Sequence, residues 1–214
     1  MTKCSLSVRQ ECQLRIDLLR HGACEGGNIF RGQIDVPLTS EGREQMFRGL
    51  AELDGSWDRI VTSPLQRCQR FAAQLAQEKK LPITEIPDIR EIGFGDWEGQ
   101  SVDKIWTEQR ALCEAWGRDP EKHAPPGGEP FPVFRSRVLQ AIDNLAQQYS
   151  GESLLLVTHG GVIKLLLAYA NNWLPVKMIS LQVNYGFAAS LRYDSDNKTF
   201  TVSYPEQSAY VYCP

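Results

Sequence analysis

The chain has 214 residues, 42% of them hydrophobic and 23% charged, with a formal net charge of −3. That balance suits one α/β domain with a real core; it excludes a disordered chain and argues against a broad nucleic-acid surface. No apolar run approaches the ~20 residues of a membrane span, and residues 1–11 are polar with no apolar leader, so a cytoplasmic protein is expected.

Residues 1–12 read as a loosely held tail. The first strand, about 13–19, is an apolar run that ends in Arg20-His21-Gly22. Charge is costly to bury, so a buried strand rarely ends in two cationic side chains without a reason. Delivery of Arg20 and His21 to a cleft at the strand's C-terminal end supplies one, because open α/β sheets hold ligands there; taken alone, the stretch is equally open to a surface turn that happens to hold Arg and His. Residues 23–37 follow as a glycine-rich loop at the mouth of that cleft. Its glycines let backbone N–H groups approach an anion. Arg31 sits among them, and a ligand contact and a solvated position are both open to it.

Thr39-Ser40 caps a helix to about residue 53, with Met46, Phe47, Leu50 and Leu53 as its apolar stripe. A short strand spans 57–62. Ser63-Pro64 then reads as an N-cap and first helical position for a helix to Lys79, with Arg67 in its first turn. A strand end feeding a helix N-terminus is a natural anion site. An edge strand at 83–86 leads into a loop over 87–99 that carries Glu91. A helix is expected over 102–116, and a Pro/Gly-rich stretch over 119–132. Residues 97–132 read as an insertion covering the cleft, within a single domain of residues 1–214.

A helix over 134–149 precedes Ser153-Leu154-Leu155-Leu156-Val157-Thr158-His159-Gly160-Gly161, which repeats the grammar of the first strand. The chain holds three histidines, and two of them sit in this strand-His-Gly context. On neighbouring strands they would meet in one cleft, where they could bind a metal, shuttle protons or attack phosphorus. A helix to about residue 170, a helical turn at Pro175 and a hairpin over 186–204 complete the chain. The alternation predicts a three-layer α/β/α sandwich whose sheet is mostly parallel with an antiparallel end. The six cysteines form no C-x-x-C pair and read as reduced packing thiols; Cys24, three residues after His21, is open to oxidation or is a bystander.

Four segments together resemble the histidine phosphatase superfamily, the phosphoglycerate mutase-like fold: Leu19-Arg20-His21-Gly22, Ser63-Pro64-Leu65-Gln66-Arg67, the run from Glu91 through Phe94-Gly95-Asp96-Trp97-Glu98-Gly99, and Thr158-His159-Gly160-Gly161. The resemblance implies that His21 is the nucleophile forming a phosphohistidine. It implies that Arg20, Arg67 and His159 hold the phosphoryl oxygens beside Gly160, and that Glu91 is the general acid and then the base. It implies no metal and no cofactor. The substrate it implies is a small-molecule phosphate ester, with no nucleic-acid or membrane partner, acted on by a monomer or homodimer. Two departures stand out. Ala23 replaces the glutamate common after R-H-G, and Asn28 lies seven residues after His21 rather than six, so Asn28 and Arg31 are carried over only as candidate substrate contacts. Gly128-Glu129 is followed by Pro130 where some relatives have serine.

The short insertion favours a phosphatase over a mutase. The phrases around Glu25-Gly26-Gly27, Phe94 to Gly99 and Gly127-Gly128-Glu129 are most similar to alpha-ribazole phosphatases of cobalamin assembly. A broad-specificity or sugar phosphatase, a phosphoglycerate mutase and a non-catalytic phospho-ligand binder are the alternatives. Trp97, Trp106 and Trp116 fit either packing or stacking on a base, and packing is the expectation.

Overall fold

The structure, a computed structural model, describes residues 13–204. The expected tail over residues 1–12 and Cys4, Cys12 and Cys213 lie outside the described residues. Six strands form one sheet: β1 (Gln13–Arg20), β2 (Arg59–Thr62), β3 (Ile83–Glu85), β4 (Ser153–Thr158), β5 (Ala188–Asp194) and β6 (Thr199–Ser203). Their spatial order is β3-β2-β4-β1-β5-β6. The first four are mutually parallel; β5 runs antiparallel to β1, and β6 to β5. The fold is therefore the expected α/β class, with the antiparallel pair at one end.

β1 and β4 lie side by side in the middle of the sheet, which is why both read as nearly continuous apolar runs: strands covered on two faces need apolar residues on both. Leu14, Ile16 and Leu18 of β1 and Leu154 and Leu156 of β4 pack under two helices, α5 (Phe131–Gln148) and α6 (Gly160–Ala170). Leu19, Leu155 and Val157 point the other way, onto α1 (Ser40–Ala51) and α2 (Gln66–Lys79). The period of two along each strand thus assigns its residues to two separate cores. Asp17 interrupts the apolar run of β1 and is fully buried. Its carboxylate accepts from the Trp57 indole at 2.8 Å, from the Ser190 hydroxyl, and from Arg15 at 3.2 Å.

Three elements differ from expectation, each for a local reason. α2 begins at Gln66 rather than at Ser63-Pro64, and Leu65 is its N-cap residue. The Ser63 hydroxyl accepts from the Leu65 N–H at 3.3 Å and lies 2.7 Å from His159 Nε2, its shorter contact. The helix expected over 102–116 is two helices, α3 (Val102–Glu108) and α4 (Arg110–Arg118). They break at Gln109, whose backbone leaves helical geometry (φ −128°, ψ 34°) and whose side chain accepts from the buried Trp97 indole at 2.8 Å. α5 starts at Phe131, three residues early, because Pro132 needs no N–H bond in a first turn. A last helix, α7 (Pro175–Ser180), follows α6. Phe47, placed in the α1 stripe, is half-exposed against Phe71, and Trp106 and Leu112 are also exposed. Among the described residues no helix is long and apolar enough to cross a membrane.

Candidate active site

The register of β1 and β4 pairs Arg20 with Thr158, so the residues that follow, His21 and His159, leave the same edge of the sheet. Their rings meet edge to face with centroids 5.2 Å apart. Gly22 permits the sharp exit from β1: a Cβ there would stand 1.8 Å from the Gly42 carbonyl oxygen of α1. His159 caps α6, and Arg67 reaches in from the first turn of α2. Arg20, His21, Arg67 and Glu91 line an open cavity of about 480 Å³, and the fully buried His159 lies outside its wall.

Hydrogen bonds assign the protons. His21 Nδ1 lies 2.8 Å from the Gly22 carbonyl, which can only accept, so Nδ1 carries the proton and Nε2 keeps its lone pair. Burial, reinforced by the Arg20 and Arg67 guanidiniums, pushes the His21 pKa well below its ordinary value. The ring is thus neutral at physiological pH and nucleophilic at one defined nitrogen. His159 accepts from Arg67 Nε at Nδ1, 3.2 Å, and donates from Nε2 to the Ser63 hydroxyl. Burial and then Arg67 hold its pKa well below the ordinary value too.

Arg67 also donates to the carbonyls of Gly32 at 2.6 Å and Ile34 at 2.7 Å, which ties the 23–37 loop to α2. Arg31 is buried and donates to the carbonyls of Cys24, Glu25 and Gly27 in that loop, the last at 2.6 Å. Gly26 and Gly27 adopt positive φ (91° and 71°), which lets these carbonyls turn inward. Arg20 donates to the Val183 carbonyl and lies over the Tyr185 ring at 4.4 Å; burial lowers its pKa, against the opposing charge of Glu91. The Nε atoms of Arg20 and Arg31 are buried and find no protein acceptor among the described residues. Asn28 is exposed at the rim of the cavity, with its carbonyl bonded to Val102 N.

Glu91 faces this cluster from the segment after β3. Both its oxygens lie 3.1 Å from the Gly161 N–H in the first turn of α6, where the helix favours negative charge. The segment is braced from outside. Arg137 pairs with Glu129 at 2.6 Å and donates to the carbonyls of Arg90 and Glu91, and Glu129 accepts from Gly93 N. Glu129, in the covering loop beside Pro130, is therefore part of the support for Glu91. Gly160 lies against Arg20: a Cβ there would stand 3.1 Å from Arg20 Nε.

The structure thus brings together Arg20, His21, Arg31, Arg67, Glu91, His159 and Gly160, with Asn28 at the edge. Sequence reasoning missed Tyr185, Arg137 and Lys164. Lys164 was within reach, since it stands four residues after Gly160 and so shares its helix face; Tyr185 sits in a loop without a pattern. Cys24 and Cys68 each touch a histidine, with Sγ 3.5 Å from His21 Nδ1 and 3.7 Å from His159 Nε2, and burial raises both thiol pKa values. The two thiols and Cys113 are free and buried. Trp97 is fully buried against Phe30 and Trp116, as packing predicts, and Trp116 also lines the cavity.

Cations this dense around an uncharged nucleophile suit one class of substrate, the phosphate esters. The model of the histidine phosphatase superfamily (branch 1) matches residues 16–204, and the chain belongs to that superfamily. The chain is 33% identical over 158 residues to the adenosylcobalamin/alpha-ribazole phosphatase of Escherichia coli (strain K12), covering 72% of this chain and 78% of that one. It is 32% identical over 164 residues to the glucosyl-3-phosphoglycerate phosphatase of Mycolicibacterium vanbaalenii, covering 72% of each. The crystal structure of the alpha-ribazole phosphatase from Shigella flexneri superimposes with a TM-score of 0.75 at 30% identity, over 89% of this chain and 95% of that one. The protein is a phosphatase.

Proposed function

We propose that this phosphatase hydrolyses a small-molecule monoester through a phosphohistidine on His21, and that its substrate is alpha-ribazole 5'-phosphate or the matching cobalamin 5'-phosphate. His21 Nε2 attacks phosphorus; the N–P bond forms as the P–O bond to the alcohol breaks, and Glu91 passes its proton to the leaving oxygen. Water then attacks the phosphoryl group, Glu91 takes its proton, and the N–P bond breaks to release phosphate and free His21. Arg20, Arg67 and Arg31 neutralise the oxygens, neutral His159 orients Arg67 through its Nδ1, and the Nε atoms of Arg20 and Arg31 acquire the acceptor they lack. Residues 97–132 act as the cover, with Val102, Trp116 and Pro120 in the cavity wall.

The observation that carries the reading is the pinned Nδ1 of His21, which leaves Nε2 free amid guanidiniums. The ribazole assignment is supported by the relatives' names and by a cavity wall of Phe30, Phe94, Trp116 and Phe131, which suits a flat aromatic base. The glucosyl-3-phosphoglycerate phosphatase at 32% identity favours a sugar phosphatase as the second reading.

Phosphate release from alpha-ribazole 5'-phosphate, beside p-nitrophenyl phosphate, 3-phosphoglycerate, fructose bisphosphates and nucleotides, tests the assignment. A kcat/KM about 100-fold above the rest, ~2.7 kcal/mol of transition-state discrimination, is expected for the ribazole ester. A flat profile would withdraw the ribazole assignment. Binding of all esters with turnover of none would favour a binding module.

A further inference from the structure

We infer that Lys164 selects the leaving group, by binding a hydrogen-bond acceptor on the alcohol portion of the ester. The inference rests on the phosphomonoesterase reading above and names the residue that reads the part of the substrate His21 does not touch.

Lys164 lines the same cavity as His21 and Glu91. Its ammonium donates to the Ile179 carbonyl at 3.2 Å. An ammonium has three N–H donors, so two remain for another acceptor. The side chain is part-buried, and burial and then the nearby Arg20 push its pKa below the ordinary value, against Glu91. Packing alone does not call for a cation in the cavity wall, since a leucine or methionine would fill the helix face.

The position of Lys164 says which part of the substrate it meets. Gly161 holds Glu91 in the first turn of α6, and Lys164 lies three residues further along the same face, a rise of ~5 Å. Glu91, as general acid, must touch the leaving oxygen. The phosphoryl oxygens belong beside His21 and Arg67, at the end of β1 and the first turn of α2. A cation one turn beyond the acid therefore meets the alcohol, beside a wall made by Met178, Ile179 and Leu181. The acceptor is either neutral, as the hydroxyls and ring nitrogen of a riboside, or a carboxylate, as in a glycerate ester.

The test compares kcat/KM for alpha-ribazole 5'-phosphate and for 3-phosphoglycerate, each divided by that for phenyl phosphate, whose leaving group has no acceptor beyond the reacting oxygen. In Lys164→Met at least one ratio should fall about tenfold or more, the worth of a charge-assisted hydrogen bond, with the loss mainly in KM. The ratio that falls identifies the acceptor as neutral or anionic. Lys164→Gln is measured in parallel, so that a folding defect in one variant leaves the other to decide. Both ratios staying within twofold of the native values would overturn the inference, as would a shifted pH profile on phenyl phosphate with unchanged ratios, which would make Lys164 a modulator of Glu91. No turnover of phenyl phosphate by the native chain would overturn the phosphomonoesterase reading itself, and this inference with it.

Discussion

His21 and Glu91 divide the chemistry between them. A neutral imidazole with its proton fixed on Nδ1 is a nucleophile that needs no partner to activate it. The leaving alcohol does need one, because an alkoxide is a poor leaving group. Glu91→Gln should therefore cut kcat/KM for alkyl phosphates by about 100-fold or more, within the usual range for a general acid. On p-nitrophenyl phosphate the loss should be at least about tenfold smaller, since a nitrophenolate departs unprotonated. Equal losses on both esters would remove Glu91 from the acid role. At this scale the two histidines, Arg20 and Arg67 were legible in the sequence, because each stands at a strand or helix end whose period marks it, whereas Glu91 lies in a loop without a period and was singled out only by the family resemblance. Ser63 was misread: Ser-Pro is a local helix-start signal, and the competing demand of His159 for the hydroxyl is tertiary. Tyr185 and Arg137 enter through chain segments distant from the motifs, and no local pattern announces them.

Helix α6 connects the two halves of the site. Its first turn holds Glu91 through Gly161, its cap is His159, and Lys164 extends from the next turn. A Cβ on Gly161 would stand 2.3 Å from Glu91 Oε1, the far end of a side chain that can turn aside. Gly161→Ala should thus leave the fold intact and displace the carboxylate. The expected result is a kcat about tenfold or more lower on alkyl esters with KM little changed, a partial loss of the general acid. A variant with native kcat would show that the Gly161–Glu91 contact does not set the acid's position. The elements themselves were largely legible, with their ends moved by residues that find partners elsewhere, as Gln109 does with Trp97.

For the whole molecule, the buried cluster at the strand ends sets how stability responds to acid. The pKa values of His21 and His159 lie well below 6.5 in the folded chain, so the unfolded chain takes up protons first as pH falls. Stability is full above the unfolded value and declines below it, by up to about 1.4 kcal/mol per pH unit for each histidine. Asp54, Asp143 and Asp194, whose pKa values are lowered from 3.8, lose their contribution only at lower pH, so the two windows separate. Urea unfolding should show a clear drop between pH 7 and pH 5.5; a flat profile there would mean that the histidines are not held neutral by the fold. The adjacency of β1 and β4 was only a condition raised by two strands with one grammar, and the strand order is set by tertiary pairing, while the antiparallel end was legible from the final hairpin.

The most direct test of the account is to quench a reaction with radiolabelled ester in alkali within milliseconds and to map the labelled peptide. The account predicts an acid-labile, alkali-stable phosphoryl group on His21, absent from His21→Ala and accumulating from p-nitrophenyl phosphate when Glu91 is replaced, because nitrophenolate leaves without an acid while hydrolysis still needs a base. Turnover at the native rate with no label on His21 at any time, or label on another residue, would contradict it.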